Sequence, residues 1–337
     1  MQTNGQVLRV GIVGCGAIGN KRAANLGAAA RLVACADTDD ARARALAGKY
    51  PGATAAAGWR AVVDDPAVDA VIVATTHDML APITLAAVER GKHVLVEKPA
   101  ARRADELAPI VEAARRTGAA VRIGFNHRFH PALREARGIV DSGALGDLLY
   151  IRGRYGHGGR IGYDKEWRAD PARSGGGELL DQGVHLIDLA RWFLGDFSSV
   201  SGSLHTYFWK MPVEDNAFML LETARRQTAF LHVSWTEWKN LFCLEIFGRD
   251  GKLQVDGLGG SYGPEKLTWY RMKPEMGPPE ITAWDYDARD LSWQLEFDTF
   301  VEDIRLRREP APGLTDARAV LGVVGQLYGH IHQPASR

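Results

Sequence analysis

One short segment near the start of the chain limits the possible folds most strongly. Residues 8–13 are apolar enough for a buried strand and run directly into Gly14-Cys15-Gly16-Ala17-Ile18-Gly19, after which a helix is predicted to about residue 28. In such a unit, glycines permit a tight turn, close approach of the backbone to a pyrophosphate, and tight packing of helix on strand. The helix N-terminus adds N–H donors for phosphate oxygens. The segment therefore predicts a dinucleotide site that includes Gly14, Gly16, Ala17, Ile18 and Gly19.

The next predicted strand indicates which dinucleotide is bound. Residues 31–36 form this strand, and Asp37 follows it where a carboxylate can accept hydrogen bonds from the adenosine ribose. A carboxylate there would repel a 2′-phosphate, so the sequence favours NAD over NADP. The alternative is that Asp37 caps the helix predicted over 39–49, although Asp39 can also serve as that cap.

Strands and helices continue to alternate along the chain. Further strands are predicted at 68–74, 93–97 and 120–125, and further helices at 82–90 and 105–117. This alternation is typical of a doubly wound parallel sheet, whose ligands bind beyond the carboxyl ends of the strands. Four residues at such ends are predicted to contact the cofactor: Thr75, His77, Glu97 and Lys98. Taken alone, Lys98 is also compatible with a surface lysine at a strand end.

The pattern changes after residue 124. Strands are predicted at 148–155, 200–209, 217–223, 228–235, 241–247, 253–255 and 267–271, and short turns between several of them indicate a mostly antiparallel sheet. Helices are predicted over 131–142, 291–307 and 315–332. A chain of 337 residues exceeds the usual size of a single core. We therefore expect a dinucleotide-binding domain of residues 1–124 and a substrate-binding α/β domain of residues 125–337.

A glycine-rich loop, Gly175-Gly176-Gly177, precedes a predicted helix in the second domain. On that helix Asp181, His185 and Asp188 are spaced to lie on one face. A carboxylate beside an imidazole can take up and return a proton near neutral pH. Gly183 lies within the helix despite a cost of ~1 kcal/mol relative to alanine, which predicts a close approach to the backbone there. An incidental Asp–His pair on a surface helix is the alternative.

Four motifs, in this order, resemble the Gfo/Idh/MocA oxidoreductases, the relatives of glucose–fructose oxidoreductase and inositol dehydrogenase. They are the glycine loop above, Glu97-Lys98-Pro99, Gly124-Phe125-Asn126-His127-Arg128-Phe129, and Gly-Gly-Gly…Asp-x-Gly-x-His-x-x-Asp. The resemblance spans essentially the whole chain. It implies an N-terminal Rossmann domain and a C-terminal α/β domain with a large open sheet, often used to form dimers or tetramers. It also implies Lys98, Asp181 and His185 as the catalytic trio. We further predict that Asn126 and Arg128 of the third motif contact the substrate.

One segment departs from the family pattern. Where family members commonly have Thr-Pro-Asn-x-x-His, this chain has Thr75-Thr76-His77-Asp78-Met79-Leu80. His77 either replaces the usual asparagine as a polar contact to the cofactor or caps the following helix together with Asp78.

Residues 152–174 form a long segment that combines arginines, aromatic residues and glycines. Loops of this length are usually functional or disordered. Aromatic rings can stack on sugars, and arginines can bind a phosphate or carboxylate of a substrate. We predict substrate contacts from His157, Arg160, Lys165, Trp167 and Arg168, with a solvated surface loop as the alternative.

These features together predict an NAD-dependent dehydrogenase that acts on a secondary alcohol of a sugar, glycoside or cyclitol. His185 would remove the hydroxyl proton, Lys98 would stabilise the developing alkoxide, and Asp181 would position the hydroxyl or tune the pair. A nucleotide-sugar dehydrogenase or a redox-assisted NAD-dependent glycosidase would use the same trio. A nucleotide-binding regulator without turnover would have no need of it.

Composition argues against several other classes. The 41 basic residues balance the 41 acidic ones, so no net field favours nucleic acid or a membrane surface. No apolar run is long enough to span a bilayer. The three cysteines have neither paired nor zinc-type spacing, and the closely spaced histidine pairs lack further ligands, so no metal is expected. Since the N-terminus does not resemble a signal peptide, we expect a cytoplasmic protein with reduced thiols.

Overall fold

A computed structural model of the protein describes residues 7–286 and 289–331. The N-terminal hexapeptide and the predicted end of the last helix at residue 332 lie outside these ranges. The chain divides into two compact units, one of Met1–Phe125 with Trp293–Arg318 and the other of Asn126–Ser292 with Ala319–Arg337.

The first unit is built on a parallel sheet that alternates with helices along the chain. Its strands are β1 (Leu8–Val13), β2 (Ala30–Ala36), β3 (Thr54–Ala55), β4 (Ala70–Val73), β5 (His93–Glu97) and β6 (Val121–Gly124). They lie in the order β3-β2-β1-β4-β5-β6, and each neighbouring pair is parallel. The intervening helices are α1 (Ala17–Ala24), α2 (Asp40–Ala47), α3 (Trp59–Asp64), α4 (His77–Glu89) and α5 (Ala108–Thr117). The predicted doubly wound parallel sheet is confirmed.

Burial explains why the central strands consist almost entirely of apolar residues. β4 is buried along its whole length, and Val10, Ile12 and Leu95 in neighbouring strands have no exposed surface. Because helices cover both faces of a parallel sheet, such strands show no alternation of apolar and polar residues. The helix predicted to begin at Pro82 begins at His77 instead, so that the proline lies inside α4.

The second unit is built on a larger sheet of eight strands. They are β7 (Leu148–Gly156), β8 (Phe197–His205), β9 (Asn216–Thr223), β10 (Thr228–Ser234), β11 (Leu241–Gly248), β12 (Gly251–Asp256), β13 (Lys266–Arg271) and β14 (Glu280–Asp285), in the order β14-β13-β12-β11-β7-β10-β9-β8. β7 and β10 run parallel, and the other neighbouring pairs of this sheet run antiparallel. The predicted mostly antiparallel sheet is confirmed, although the sequence pattern misses β14.

Helices cover one face of this sheet. After β6 the described residues form α6 (Pro131–Asp141), α7 (Pro171–Ser174), α8 (Val184–Leu194), α9 (Ser292–Leu306) and α10 (Leu314–Ile331), of which α6 and α8 contact this sheet. α8 packs against β7 and β10, whose buried residues include Ile151 and Leu231. On the opposite face, Tyr150, Leu220 and Phe230 are exposed.

The segment 293–318 packs with the first unit, whereas the sequence assigned it to the second domain. The reason lies in the apolar face of α9. Phe297, Phe300 and Val301 belong to the same buried cluster as the residues of β1 and β2. Periodicity predicts that this helix has an apolar face, but it does not predict which of two cores will bury that face.

Candidate active site

The glycine loop after β1 has the shape that a dinucleotide requires. Gly14 has a φ of +94°, and a Cβ there would lie 2.2 Å from the carbonyl oxygen of Ala74, the residue after β4. A Cβ on Gly19 would lie 1.9 Å from the oxygen of Gly14, so α1 packs tightly on the loop. A Cβ on Gly16 would meet none of the described atoms within 4 Å, and Ala17 and Ile18 are exposed in the first turn of α1. The loop therefore leaves space for a pyrophosphate at the N-terminus of the helix.

Asp37 braces this loop and does not cap α2. Its Oδ2 accepts a hydrogen bond from the N–H of Cys15 at 2.7 Å, and its Oδ1 accepts one from the N–H of Asp39 at 2.9 Å. Asp39 is the N-cap of α2 and accepts a hydrogen bond from Ala41. A carboxylate has about four lone-pair sites, so Asp37 keeps acceptor capacity for ribose hydroxyls. The ribose contact itself stays a prediction.

Residues 75–80, which depart from the family pattern, form the start of α4. Thr76 is its N-cap and donates a hydrogen bond to Asp78 at 2.6 Å. A carboxylate in the first turn interacts favourably with the helix dipole. His77 is the first residue of the helix and is buried, while Thr75 just before it is half-buried. Thr76 and Asp78 thus serve the helix start, and the contact of Thr75 and His77 with a cofactor stays a prediction.

Glu97 and Lys98 lie at the carboxyl end of β5. Glu97 is buried and accepts a hydrogen bond from Nε of Arg22 at 2.6 Å. Lys98 follows it and is half-buried, with a cis peptide bond to Pro99. The structure thus gives the Glu97 carboxylate a partner within the protein.

The candidate catalytic helix of the second unit begins with a π-helical turn. Leu179–Gly183 form this turn, and α8 continues from it. Oε1 of Glu214 accepts hydrogen bonds from the N–H groups of Gly177 at 3.0 Å and Leu179 at 3.1 Å. The Tyr328 hydroxyl donates to the same oxygen at 2.9 Å. Burial raises the pKa of Glu214, and these donors favour its charged form.

The glycines around this helix make room for the protein itself. A Cβ on Gly176 would lie 1.9 Å from the Tyr328 hydroxyl. A Cβ on Gly183 would lie 3.0 Å from Leu179 and 3.3 Å from Val233 of β10. The close approach expected at Gly183 is therefore that of neighbouring side chains.

Asp181 and His185 lie in a buried polar group. Asp181 is 5% exposed and His185 is 4% exposed. Oδ2 of Asp181 accepts a hydrogen bond from Nε of Arg168 at 2.7 Å. The Asp181 charge raises the pKa of Arg168, so this guanidinium remains charged. The His185 ring stacks on the ring of His127, with 3.8 Å between centroids.

Asp188 is held by an arginine. Both of its oxygens accept hydrogen bonds from Arg128, at 2.6 and 2.8 Å, and both side chains are buried. The single face expected for Asp181, His185 and Asp188 assumed one regular α-helix, whereas Asp181 lies in the π turn and the other two residues lie in α8. Arg128, predicted to contact substrate, is thus held by Asp188.

Sequence reasoning missed several residues next to His185. His127 lies in the Asn126–Phe129 turn, and its Nδ1 is 3.3 Å from Oδ1 of Asn126. Tyr155, at the end of β7, meets the His127 ring edge-on at 5.1 Å. Burial raises the pKa of Tyr155 well above its usual value, so its hydroxyl stays protonated. The motif containing Asn126 and Arg128 drew attention to this turn, but it did not single out His127.

In the predicted substrate segment, residues 152–174, Arg168 contacts the buried group of Asp181 and His185 through Asp181. Arg168 contacts Asp181, and its guanidinium lies over the half-buried Trp167 ring at 4.6 Å. Arg160 pairs with Glu166 at 2.6 Å and has a side chain that is 65% exposed. Lys165 is exposed, and His157 is half-buried and accepts a hydrogen bond from Gly159 at 2.8 Å.

The described residues contain neither a cluster of metal ligands nor a membrane-spanning helix. Within residues 7–286 and 289–331, no group of three or more histidine, cysteine or carboxylate side chains could hold a metal ion. In the same ranges, no helix has the length and apolar character needed to cross a bilayer.

The fold and the glycine loop define a protein with a dinucleotide-binding Rossmann domain. Residues 8–125 match the model of the oxidoreductase family with an NAD-binding Rossmann fold, and residues 133–254 match the GFO/IDH/MocA C-terminal domain. The chain belongs to the Gfo/Idh/MocA oxidoreductase family, and the resemblance is confirmed. NAD is the cofactor of this domain, and the open space at Gly16 fits its pyrophosphate.

Relatives with known names include dehydrogenases of levoglucosan and inositol. The chain is 33% identical to levoglucosan dehydrogenase of Pseudarthrobacter phenanthrenivorans over 50% of its own length and 43% of that protein. It is 33% identical to inositol 2-dehydrogenase 2 of Saccharopolyspora erythraea over 64% of its own length and 63% of that protein. Each match thus covers less than two thirds of the relative. The solved structure of a levoglucosan dehydrogenase with NADH and L-sorbose superposes with a TM-score of 0.86, at 22% identity over 96% of both chains, which shows the shared fold.

Proposed function

We propose that this protein is an NAD-dependent dehydrogenase of a secondary alcohol on a sugar, glycoside or cyclitol. The observation that carries the proposal is the burial of Asp181 and of His185 one helical turn apart, with Arg168 bound to the carboxylate. A regulator that only binds nucleotide has no use for such an acid–base group in its second unit. The names of the levoglucosan and inositol dehydrogenases among the relatives agree with this substrate class.

Each member of the trio has a chemical role in this proposal. When bound, NAD supplies the hydride acceptor for the oxidation of the alcohol carbon. His185 accepts the hydroxyl proton, because imidazole exchanges protons near neutral pH. Lys98 stabilises the negative charge that develops on the substrate oxygen. Asp181, held by Arg168, positions the substrate hydroxyl or tunes the acid–base pair.

The segment 152–174 supplies substrate contacts in the same proposal. Trp167 offers a ring for stacking, and Arg160 offers an exposed guanidinium. Replacing either with alanine is expected to raise KM or lower kcat/KM for the sugar, while NAD affinity stays nearly unchanged. If a variant has unaltered kinetics on the best substrate, the replaced residue belongs to a solvated surface loop and does not contact the substrate.

The open face of the eight-stranded sheet supports assembly into a homo-oligomer of two or four chains. Tyr150, Leu220 and Phe230 lie on this face and are 38%, 49% and 51% exposed. Clustered exposed apolar side chains commonly mark interaction surfaces. Phe230→Glu is expected to lower the mass measured by light scattering to that of a single chain, and an unchanged mass would contradict the proposal that this face forms the oligomer interface.

The three buried free thiols agree with a reducing compartment such as the cytoplasm.

A substrate panel tests the proposed activity. Cyclitols, levoglucosan, free sugars, glycosides and nucleotide sugars are each supplied with NAD, and formation of reduced nicotinamide is followed by absorbance. We expect turnover with a ring that carries free secondary hydroxyls. Turnover confined to nucleotide sugars would narrow the substrate class. Product release from a glycoside without net NAD reduction would indicate a redox-assisted glycosidase. Tight NAD binding without turnover of any compound would favour the regulator.

A further inference from the structure

A buried guanidinium in the first unit is held between two carboxylates. Nε of Arg22 donates to Glu97 at 2.6 Å, and Nη1 of Arg22 donates to Glu296 at 2.5 Å. Arg22 is 1% exposed, Glu296 is 0% exposed and Glu97 is 7% exposed. We call these three residues the Arg22 network.

The Arg22 network joins three distant parts of the chain. Arg22 lies on α1, directly after the glycine loop. Glu97 ends β5 and is the residue before Lys98. Glu296 lies on α9, the helix that the sequence assigned to the other domain.

Neighbouring residues are shaped to accommodate the network. The guanidinium lies over the Trp293 ring at 4.3 Å. A Cβ on Gly124 would lie 2.9 Å from Nη2 of Arg22 and 3.1 Å from Oε2 of Glu97. Gly124 opens one of the motifs by which the family is recognised, and its lack of a side chain makes room for this ion pair.

Stability alone is a poor reason for such an arrangement. Buried ion pairs are weak evidence for stability, because the desolvation of each charge offsets the attraction between them. Here one cation serves two carboxylates, and burial raises the pKa of Glu296. A guanidinium that donates to two carboxylates does, however, fix geometry, because its planar group holds the donors in set directions.

We propose that Arg22 and Glu296 are positioning residues, which fix the end of β5 so that Lys98 is held in its reactive place. Glu97 then acts through Arg22 and is not a contact to the cofactor. This inference rests on the proposed role of Lys98. Since the apolar face of α9 packs that helix into the first unit, Glu296 is available to complete the network.

The same unit offers a matched control. Arg122 on β6 forms an ion pair with Asp303 on α9, and the two side chains are 0% and 6% exposed. This pair is as buried as the Arg22 network and involves the same helix. Arg122 is level with Leu95 on the neighbouring strand β5, three residues before Lys98, so this pair is set back from the end of β5 that carries Lys98.

The test compares Glu296→Ala with Asp303→Ala in the full-length protein. Misplacing a catalytic group by about 1 Å can cost about a hundredfold, so Glu296→Ala is expected to lower kcat about ten- to hundredfold. NAD affinity and the KM for the sugar should change by about twofold at most, because the loop and substrate contacts are intact. Glu296→Gln should restore most of kcat, since its amide oxygen still accepts from Arg22. Asp303→Ala should lower the melting temperature by about as much as Glu296→Ala does, but it should leave kcat unchanged.

Two results would overturn the inference: unchanged kcat in folded Glu296→Ala, or an equal loss of kcat in Asp303→Ala. If Glu296→Ala does not fold, the kcat of Arg22→Lys is compared with that of Asp303→Ala instead. Lysine keeps the positive charge of Arg22 but lacks the planar set of donors that binds both carboxylates. The Lys98→Ala variant separates this inference from the proposed function. Full activity of Lys98→Ala would refute the function, whereas an inactive Lys98→Ala with a fully active Glu296→Ala would refute only the network. In the Lys98→Ala background, Glu296→Ala should have little further effect.

Discussion

Removing the guanidinium next to Asp181 should shift the pH dependence of catalysis. Nε of Arg168 lies 2.7 Å from Oδ2 of Asp181, and the side chains are 28% and 7% exposed. Two unit charges about 4 Å apart interact by about 4 kcal/mol at an effective dielectric constant of about 20, which corresponds to about 3 pKa units. Solvent reaches part of Arg168, so we expect a smaller shift, of about 1–2 units.

The sign of the shift follows from which form Arg168 stabilises. The guanidinium favours the Asp181 carboxylate, so Arg168→Met should let Asp181 take up a proton at higher pH. If the carboxylate is the active form, the acid limb of the kcat/KM profile moves upward by about 1–2 pH units. Activity at the alkaline end should fall less than activity at the acid end.

The assay is the pH profile of kcat/KM with the best substrate of the panel. Arg168→Lys should keep most of the acid limb in place, because it keeps a charge near Asp181. Arg173→Ala, an exposed arginine on α7, provides the control and should leave the profile unmoved. An acid limb that stays in place in Arg168→Met would refute the coupling between Arg168 and an ionised Asp181.

Three further predictions concern the glycine loop, the cofactor and the start of the catalytic helix. Gly16→Ala should weaken NAD binding without changing the melting temperature, because a Cβ there meets only open space; calorimetry of both quantities checks this, and lost stability would contradict it. Asp37→Ala should narrow the preference for NAD over NADP in nucleotide titrations, and tighter NADP binding by the unmutated protein would contradict the ribose contact. Tyr328→Phe should reduce the free energy of unfolding by about 1–2 kcal/mol, because Glu214 loses a hydrogen bond; an unchanged denaturant midpoint would contradict this.

Local sequence patterns predict five of the six described strands of the first unit and miss the two-residue strand β3. The bounds of β1 and β5 agree with those predicted, since each is a short apolar run followed by a clear interruption. For β5 that interruption is Lys98-Pro99, and proline does not continue a central strand. The edge strand β14 has no buried face to make its pattern visible, and four of its six residues are exposed.

The site is less predictable because its geometry depends on residues far apart in sequence. The π turn that carries Asp181 is held by Glu214 and Tyr328, neither of which belongs to the motif. Spacing on a regular helix therefore placed Asp188 with Asp181, while the structure pairs Asp188 with Arg128. Likewise, the path of the loop that brings Arg168 to Asp181 is fixed by tertiary packing and leaves no periodic pattern in the sequence.

The most direct measurement of the central claim is the kinetics of Lys98→Ala, His185→Ala and the double variant, alongside NAD titration. Each single variant should lose about 10²–10⁴ in kcat, the range for a lost charge stabiliser or proton-transfer group. The double variant should lose much less than the product of the two, because groups that act on one hydroxyl are not additive. All three should still bind NAD, because the Gly14–Gly19 loop and Asp37 are unaltered. Full activity in either single variant would contradict the account and place the chemistry on other residues.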